Sequence, residues 1–150
     1  MSEFKVEQID HVHVYVRDRR AAAEWYRRVL GLEVVEEHES WAEDDDGPLT
    51  ISSDGGSTSL ALFRAKGDAG QSVRRQTVAF RVGGAGFLNF LERLASLEVA
   101  GAGGGRLGAG DVVDHGYCFS VYFRDPDGNP YELTTYDYDH VRGRLAARQS

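Results

Sequence analysis

The stretch His11-Val-His-Val-Tyr-Val16 has a counterpart later in the chain, Thr77-Val-Ala-Phe-Arg-Val82. In both stretches, the apolar residues Val12, Val14 and Val16, or Val78, Phe80 and Val82, stand at every second position. The residues between them are mostly polar. This is the two-residue period of a β-strand with one buried face. The offset of 66 residues persists through the segments that follow, Ala21 to Leu30 and Phe87 to Ser96. A repeat of this length predicts two copies of one structural module.

Each copy continues with an amphipathic helix and then shorter strands. The helical stripes, spaced at three and four residues, are Ala22, Trp25, Tyr26, Val29 and Leu30 in the first copy and Phe87, Phe90, Leu91 and Leu94 in the second. The copies close with Ser59-Leu-Ala-Leu-Phe63 and Pro130-Tyr-Glu-Leu-Thr134. The sequence therefore predicts an α+β fold of two tandem βαβββ modules, about residues 8–65 and 75–136. A C-terminal tail, residues 137–150, completes a single domain.

The second face of each predicted sheet is polar. In the strand Phe119 to Arg124, for example, Ser120 and Tyr122 alternate with aromatic and aliphatic residues. Such a face indicates either open solvent or a polar cavity. We expect a cupped, barrel-like mixed sheet around one small-molecule cavity, with the helices on the outside.

Three loop segments are also recognisable. Asp125-Pro-Asp-Gly-Asn129 has the residues of a hairpin turn. The glycine-rich stretch Gly101 to Gly110 contains the spacing G-x-G-x-x-G, but it precedes a strand and opens no helix, so a phosphate-binding role is disfavoured. The acidic run Glu43-Asp-Asp-Asp46 is interpreted as a solvated loop, with a cation site as the alternative.

Composition restricts the class of protein. Of the 150 residues, 41% are hydrophobic and 27% are charged, as in an ordinary globular domain. The net charge of −7 argues against a nucleic-acid partner. No stretch approaches the ~20 apolar residues that span a bilayer, and Cys118, the single cysteine, fits a reducing compartment. We therefore expect a cytoplasmic protein without a membrane partner.

Three segments in order resemble the vicinal-oxygen-chelate superfamily. They are Ile9-Asp-His-Val-His-Val-Tyr-Val-Arg-Asp18, Trp25-Tyr-Arg-Arg-Val-Leu-Gly-Leu32 and Ser120-Val-Tyr-Phe-Arg-Asp-Pro-Asp-Gly-Asn-Pro-Tyr-Glu-Leu133. That superfamily includes glyoxalase I, extradiol dioxygenases, fosfomycin-modifying transferases and bleomycin-resistance proteins. The resemblance covers residues 8–136 and implies the fold, whereas one fold hosts many chemistries.

The resemblance also implies where a divalent metal is held. The first strand of a module supplies His and the last supplies Glu, which places the ligand positions at His11, Ala61, Thr77 and Glu132. Glyoxalases use all four positions, and the dioxygenase and fosfomycin patterns use both first-strand positions and the final Glu. This chain keeps His11 and Glu132 and departs from the pattern at Ala61 and Thr77.

An imidazole and a carboxylate suit Fe, Mn, Ni, Co or Zn, but two protein ligands alone bind such ions weakly. His13 is one candidate for a third ligand, although the ~6.6 Å step between residues i and i+2 of a strand makes joint binding with His11 awkward. His115 is another, and Thr77 could hold a metal-bound water. In the metal-free alternative, His11 is a hydrogen-bonded cavity histidine and Glu132 pairs with Arg81 or Arg124.

Two functions remain open. The first is a metal-dependent, glyoxalase- or dioxygenase-like enzyme that binds vicinal oxygens of a small anionic substrate, with His11 and Glu132 as catalytic residues and metal ligands. The second is a metal-free protein that sequesters a ligand, as bleomycin-resistance proteins do. In either case the residues expected to contact the small molecule are His13, Tyr15, Thr77, Arg81, Ser120, Tyr122 and Arg124. Members of the superfamily often form homodimers, so we expect a C2 homodimer whose modules pair within or between chains.

Overall fold

The chain folds into two compact units, residues 1–72 and 73–150. A computed structural model describes residues 4–5, 7–66 and 76–149. Each unit runs from a strand to a helix and then to further strands that form a mixed sheet, which confirms the predicted α+β repeat. The second unit adds one short strand and a C-terminal helix. Within the described ranges, no helix is long and apolar enough to cross a membrane.

The first unit is a four-stranded sheet with one helix. Its elements are β1 (His11–Val16), α1 (Arg19–Leu30), β2 (Glu33–Val34), β3 (Leu49–Ser52) and β4 (Ser59–Arg64), with a 3-10 helix at Glu36–Glu43 between β2 and β3. The strand order is β1-β4-β3-β2. The pair β1–β4 is parallel, and the other two pairs are antiparallel.

Local chemistry sets the ends of α1. Asp18 is the N-cap, and its Oδ1 accepts a hydrogen bond from the Ala21 N–H at 3.0 Å. Gly31 ends the helix at φ 71°, a conformation that glycine adopts without steric cost. Of the predicted stripe, Ala22, Trp25, Tyr26 and Val29 are buried, whereas Leu30 is partly exposed. Burying a large apolar side chain contributes about 1.5–3 kcal/mol.

The second unit repeats this plan with a longer set of strands. Its elements are β5 (Val78–Arg81), α2 (Gly84–Arg93), β6 (Ala100–Gly101), β7 (Val113–Asp114), β8 (Phe119–Arg124), β9 (Pro130–Thr135) and α3 (Tyr138–Gln149), with a 3-10 helix at Ala109–Asp111. The strand order is β5-β9-β8-β6, and β7 also pairs with β8. The pair β5–β9 is parallel, like β1–β4 in the first unit.

The predicted two-residue alternation is confirmed on the helix side of both sheets. In β1, Val14 and Val16 are buried, whereas His11, His13 and Tyr15 are exposed. In β8, Phe119, Val121 and Phe123 are buried. On the other face of β8 the prediction of a polar surface needs one change, because Ser120 is fully buried as well.

The predicted turn Asp125–Asn129 joins β8 to β9 as a hairpin. The buried Asp125 side chain accepts hydrogen bonds from the backbone N–H groups of Asp127 at 2.9 Å and Asn129 at 2.8 Å. Gly128 has φ 86°, in the region that only glycine occupies at little cost. The side chain of Asp125 therefore closes a turn whose backbone requires Gly128.

The acidic segment is exposed, as predicted: Glu43 ends the 3-10 helix and residues 44–46 follow it in a loop, which one arginine contacts. The guanidinium of Arg19 donates to the backbone carbonyls of Ala42 and Asp44, each at 3.1 Å, and to the carbonyl of Gly47. These contacts tie residues 42–47 to the start of α1. The connection from β3 to β4 is closed by Asp54, whose Oδ1 accepts the Thr58 N–H at 3.0 Å.

The glycine-rich segment joins β6 to β7 and opens no α-helix, so a phosphate-binding loop of the strand-to-helix type is excluded. Arg106, inside this segment, donates to the carbonyls of Leu94, Ala95 and Leu97 just after α2. Leu107 beside it is buried. The segment is thus tied to the end of α2.

Candidate functional site

In the first unit, the face of β1 opposite the buried valines carries His11, His13 and Tyr15, all of which are exposed. The parallel register with β4 sets His13 beside Ala61 and Tyr15 beside Phe63. The ring of Phe63 lies 4.6 Å from that of His13 and 5.8 Å from that of Tyr15, measured between ring centroids. These four side chains therefore form one row, which we call the β1 face: His11, His13, Phe63 and Tyr15.

Two hydrogen-bonding contacts orient the histidines of this face. The Nδ1 atom of His11 lies 2.7 Å from Oδ2 of Asp10. The Nε2 atom of His11 lies 3.1 Å from Nε2 of His13. A carboxylate at Nδ1 holds the proton on that nitrogen, so the lone pair of His11 is on Nε2, toward His13. The ~6.6 Å backbone step between these residues thus does not keep the ring tips apart.

The two positions at which the sequence lacks a ligand differ in their surroundings. Ala61 is buried in the middle of β4. Thr77 is exposed and precedes β5, outside the strand. Among the residues that the structure describes, none is hydrogen-bonded to the Thr77 hydroxyl, and the role of Thr77 in substrate binding stays a prediction.

In the second unit, Glu132 is held from the neighbouring strand β8. Its Oε1 accepts a hydrogen bond from the Ser120 hydroxyl at 2.8 Å and another from the Tyr122 hydroxyl at 3.2 Å. Among the described residues, no side chain or backbone group hydrogen-bonds to Oε2. Glu132 is half-buried, so one carboxylate oxygen is fixed by the protein while the other remains available.

The contacts around Glu132 extend in both directions along β8. Nε2 of His115, in the turn after β7, lies 3.0 Å from the Tyr122 hydroxyl. Burial raises the pKa of Tyr122, and the negative charge of Glu132 raises it further, so the phenol keeps its proton and donates it. The Ser120 hydroxyl also lies 3.1 Å from Oγ1 of Thr134. Ser120 and Tyr122, predicted to contact a substrate, here position a carboxylate.

The two arginines proposed as partners of Glu132 have other contacts. The guanidinium of Arg81 lies over the ring of Tyr136, 4.7 Å from its centroid. The guanidinium of Arg124 donates to the carbonyl of Gly128 at 2.9 Å and supports the hairpin turn. The interpretation of Glu132 as the carboxylate of an arginine ion pair is therefore replaced by one in which two hydroxyls hold it.

The structure thus brings His11 together with His13, and Glu132 together with Ser120 and Tyr122. Asp10 and Phe63 were not predicted. Asp10 could have been found as a carboxylate directly before a ligand position, and Phe63 from its shared parity with Ala61 on β4. Among the described residues, no group of three or more His, Cys, Asp or Glu side chains is arranged to hold a metal ion.

A groove of about 330 Å³ lies elsewhere in the first unit, along β2 and the start of the 3-10 helix. Acidic side chains, Glu33, Glu36 and Glu37, line part of it. None of the residues predicted to bind a metal or a substrate lies in this groove.

Comparisons with known proteins agree with the order of elements. The family model described as Glyoxalase/Bleomycin resistance protein/Dioxygenase superfamily matches residues 8–133. No curated protein sequence matches the chain.

Several solved structures share the fold. Oxidase ChaP-H2 is 25% identical, with a TM-score of 0.64 over 89% of this chain and 97% of that one. The fosfomycin resistance protein FosX from Listeria monocytogenes is 15% identical, with a TM-score of 0.62 over 91% and 99%. A glyoxalase/dioxygenase from Nostoc punctiforme is 21% identical, with a TM-score of 0.62 over 90% and 99%. With the family match covering most of its length, the chain belongs to the glyoxalase/bleomycin resistance protein/dioxygenase superfamily.

Proposed function

We propose that this protein is a metal-dependent enzyme that binds vicinal oxygens of a small anionic substrate, with His11 and Glu132 as metal ligands. The observation that carries the proposal is that both residues are oriented by hydrogen bonds with neighbouring side chains. Asp10 holds Nδ1 of His11, and Ser120 and Tyr122 hold Oε1 of Glu132. Such outer contacts are the usual companions of metal ligands, because they fix the tautomer of a histidine and the direction of a carboxylate.

The donor set fits the metals expected from the sequence. A neutral imidazole nitrogen and a carboxylate oxygen suit Fe, Mn, Ni, Co or Zn rather than ions that take oxygen ligands alone. When bound, such an ion would supply a Lewis acid that polarises the substrate oxygens. The chain's own residues would orient the ligands, through Asp10 and Ser120, and offer positive charge from the exposed side chain of Arg81.

The reaction class that we propose is oxidative. Oxidase ChaP-H2 is 25% identical over nearly its whole length, which favours an oxidase or dioxygenase over a lyase. The test is oxygen consumption by the metal-loaded protein with a panel of catechols, which carry vicinal oxygens. Isomerisation of the hemithioacetal of an α-ketoaldehyde to an α-hydroxy thioester, without oxygen uptake, would favour the lyase instead.

Metal binding itself is tested by elemental mass spectrometry on untagged protein purified without chelators. We expect near one metal per chain in the wild type and a large loss in His11→Ala and in Glu132→Gln. His38→Ala is the matched control, because His38 stacks on Trp41 in the 3-10 helix, 4.1 Å between centroids. Folded protein that takes up none of Mn, Fe, Co, Ni or Zn would refute the proposal.

A second candidate is a metal-free ligand-binding protein, as predicted from Ala61 and Thr77. The aromatic row of the β1 face favours it, since His13, Phe63 and Tyr15 offer flat surfaces for a planar ligand. Its test is saturable binding of an aromatic drug-like cation that survives both chelation and His11→Ala. Loss of that binding on chelation would contradict the metal-free protein and support the metal-dependent enzyme.

We also propose a homodimer that acts in the cytoplasm as a single domain. Cys118 is buried, so it needs no oxidising compartment. Light scattering on a sizing column would decide between one chain and two. A single unfolding transition in urea would support one domain, and two transitions would assign residues 8–65 and 75–136 to separate ones.

A further inference from the structure

The tips of two exposed imidazoles meet on the β1 face, and this contact is not explained by the needs of folding. Nε2 of His11 and Nε2 of His13 are 3.1 Å apart, and their rings are nearly parallel, with 18° between the planes. Both side chains are exposed. Water competes there for the same donors and acceptors, so a hydrogen bond between the two rings contributes little to stability.

The separation matches that of two nitrogens bound to one ion. With Zn–N bonds of about 2.0–2.1 Å and a roughly tetrahedral or octahedral angle between them, two ligand nitrogens are about 2.9–3.4 Å apart. The observed 3.1 Å lies inside that interval. Asp10 adds the second requirement, because its carboxylate at Nδ1 leaves the Nε2 lone pair of His11 free to bind.

We propose that His13 is a metal ligand together with His11, so that the first unit alone supplies two imidazoles to one divalent ion. The inference rests on the proposed function that the chain binds such an ion, and it adds a ligand that the family pattern lacks. Two imidazoles favour Zn, Fe or Ni over Mg or Ca. Asp10 is then a positioning residue that acts through His11.

Zinc is the probe for the first measurement. Metal-free full-length protein is titrated with Zn²⁺ in a calorimeter, for the wild type, His13→Ala, His13→Gln, Asp10→Asn and the control His38→Ala. Loss of even an outer-shell partner weakens metal binding by about 10–100-fold, so we expect Kd to rise by that factor in Asp10→Asn. The His13 variants should show a rise of at least about 10-fold, and the control none. Circular dichroism checks that each variant is folded, which the exposure of His13 favours.

Long-range ¹H–¹⁵N spectra of the imidazole rings give a second readout that does not depend on activity. On adding Zn²⁺, the Nε2 resonances of both His11 and His13 should shift together while Nδ1 of His11 keeps its proton. Mg²⁺ should move neither.

The outcomes separate this inference from the proposed function. If His13→Ala and His13→Gln bind zinc as tightly as the wild type, and only the His11 resonance shifts, then His13 merely donates a hydrogen bond and the inference is overturned while the metal proposal stands. If the wild type binds no zinc, iron, nickel, cobalt or manganese, both are overturned.

Discussion

Replacing Ser120 with Ala should destabilise the protein through Glu132. Ser120 is fully buried, and its hydroxyl donates to Oε1 of Glu132 at 2.8 Å. A hydrogen bond to a charged acceptor contributes roughly 1.5–3 kcal/mol net. Because Glu132 is half-buried, water can replace part of the lost contact, so we expect the lower half of that range, about 1.5–2 kcal/mol.

The assay is urea unfolding of metal-free protein at pH 7, followed by circular dichroism. For a protein of this size the expected loss corresponds to a fall in Tm of roughly 4–6 °C. Ser59→Ala is the matched control, since Ser59 is also buried in a strand but its hydroxyl has no hydrogen bond among the described residues. Its free energy of unfolding should stay within about 0.5 kcal/mol of the wild type.

A double-mutant cycle with Glu132→Gln isolates the contribution of the charge. An amide oxygen still accepts from Ser120, but the bond to a neutral group is about half as strong. The two substitutions should therefore be non-additive by about 1 kcal/mol. A Ser120→Ala variant as stable as Ser59→Ala, or strict additivity with Glu132→Gln, would show that Ser120 does not hold a charged Glu132.

Three further predictions concern the loops. Arg19→Ala should lower the free energy of unfolding by about 1–3 kcal/mol, because the carbonyls of Ala42 and Gly47 lose the guanidinium donor, while that of Asp44 still accepts the Gly47 N–H; urea unfolding measures this, and Arg20→Ala is the control. Gly128→Ala should cost about 1–2 kcal/mol by the same assay, since φ is 86° there. The hydrogen bond from the Thr58 N–H lowers the pKa of Asp54 in the folded protein. The stability that Asp54 contributes is therefore fully present above the pKa of an unfolded aspartate, about 3.9, and is lost as pH falls through the lower, folded pKa. In a urea series from neutral to acid pH, the deficit of Asp54→Asn relative to the wild type should therefore shrink below about pH 4, and a constant deficit would contradict this assignment.

The elements of this fold follow from the sequence because periodicity carries their information. Val14 and Val16 had to be buried once β1 was recognised, and Trp25 and Tyr26 once α1 was. The turn at Gly128 follows equally from the residues around it. In each case the local backbone geometry decides which side chains share a face, and it can be computed from spacing alone.

The side-chain contacts of the candidate site did not follow in the same way. The β1 backbone separates His11 from His13 by about two strand steps, but the distance between their ring tips depends on side-chain torsions that spacing does not determine. Ser120 was expected to face a cavity and contact a substrate, because it belongs to the polar set of β8. Its burial depends on the register of β8 against β9, where Ser120 pairs with Thr134 and its hydroxyl lies under Glu132.

The contacts of Arg124 also could not be predicted from the sequence. Charge alone made Arg124 a partner for Glu132 or for an anionic substrate. Its guanidinium instead donates to the carbonyl of Gly128, four residues further along the chain in the hairpin turn. A turn exposes carbonyls that need donors, and a long flexible cation on the strand before it is within reach. A charged side chain can therefore either support a nearby turn or contact a substrate, and the sequence pattern does not show which of these two roles it has.

The register of β1 against β4 gives the missing ligand at Ala61 a structural interpretation. Ala61 lies directly beside His13, on the neighbouring strand and the same face. Neighbouring strands are about 4.8 Å apart, so the His13 side chain borders the space above Ala61. In our proposal the donor that Ala61 lacks is therefore supplied by the adjacent strand rather than lost, and the small side chain at Ala61 leaves room for the His13 ring, which packs on Phe63.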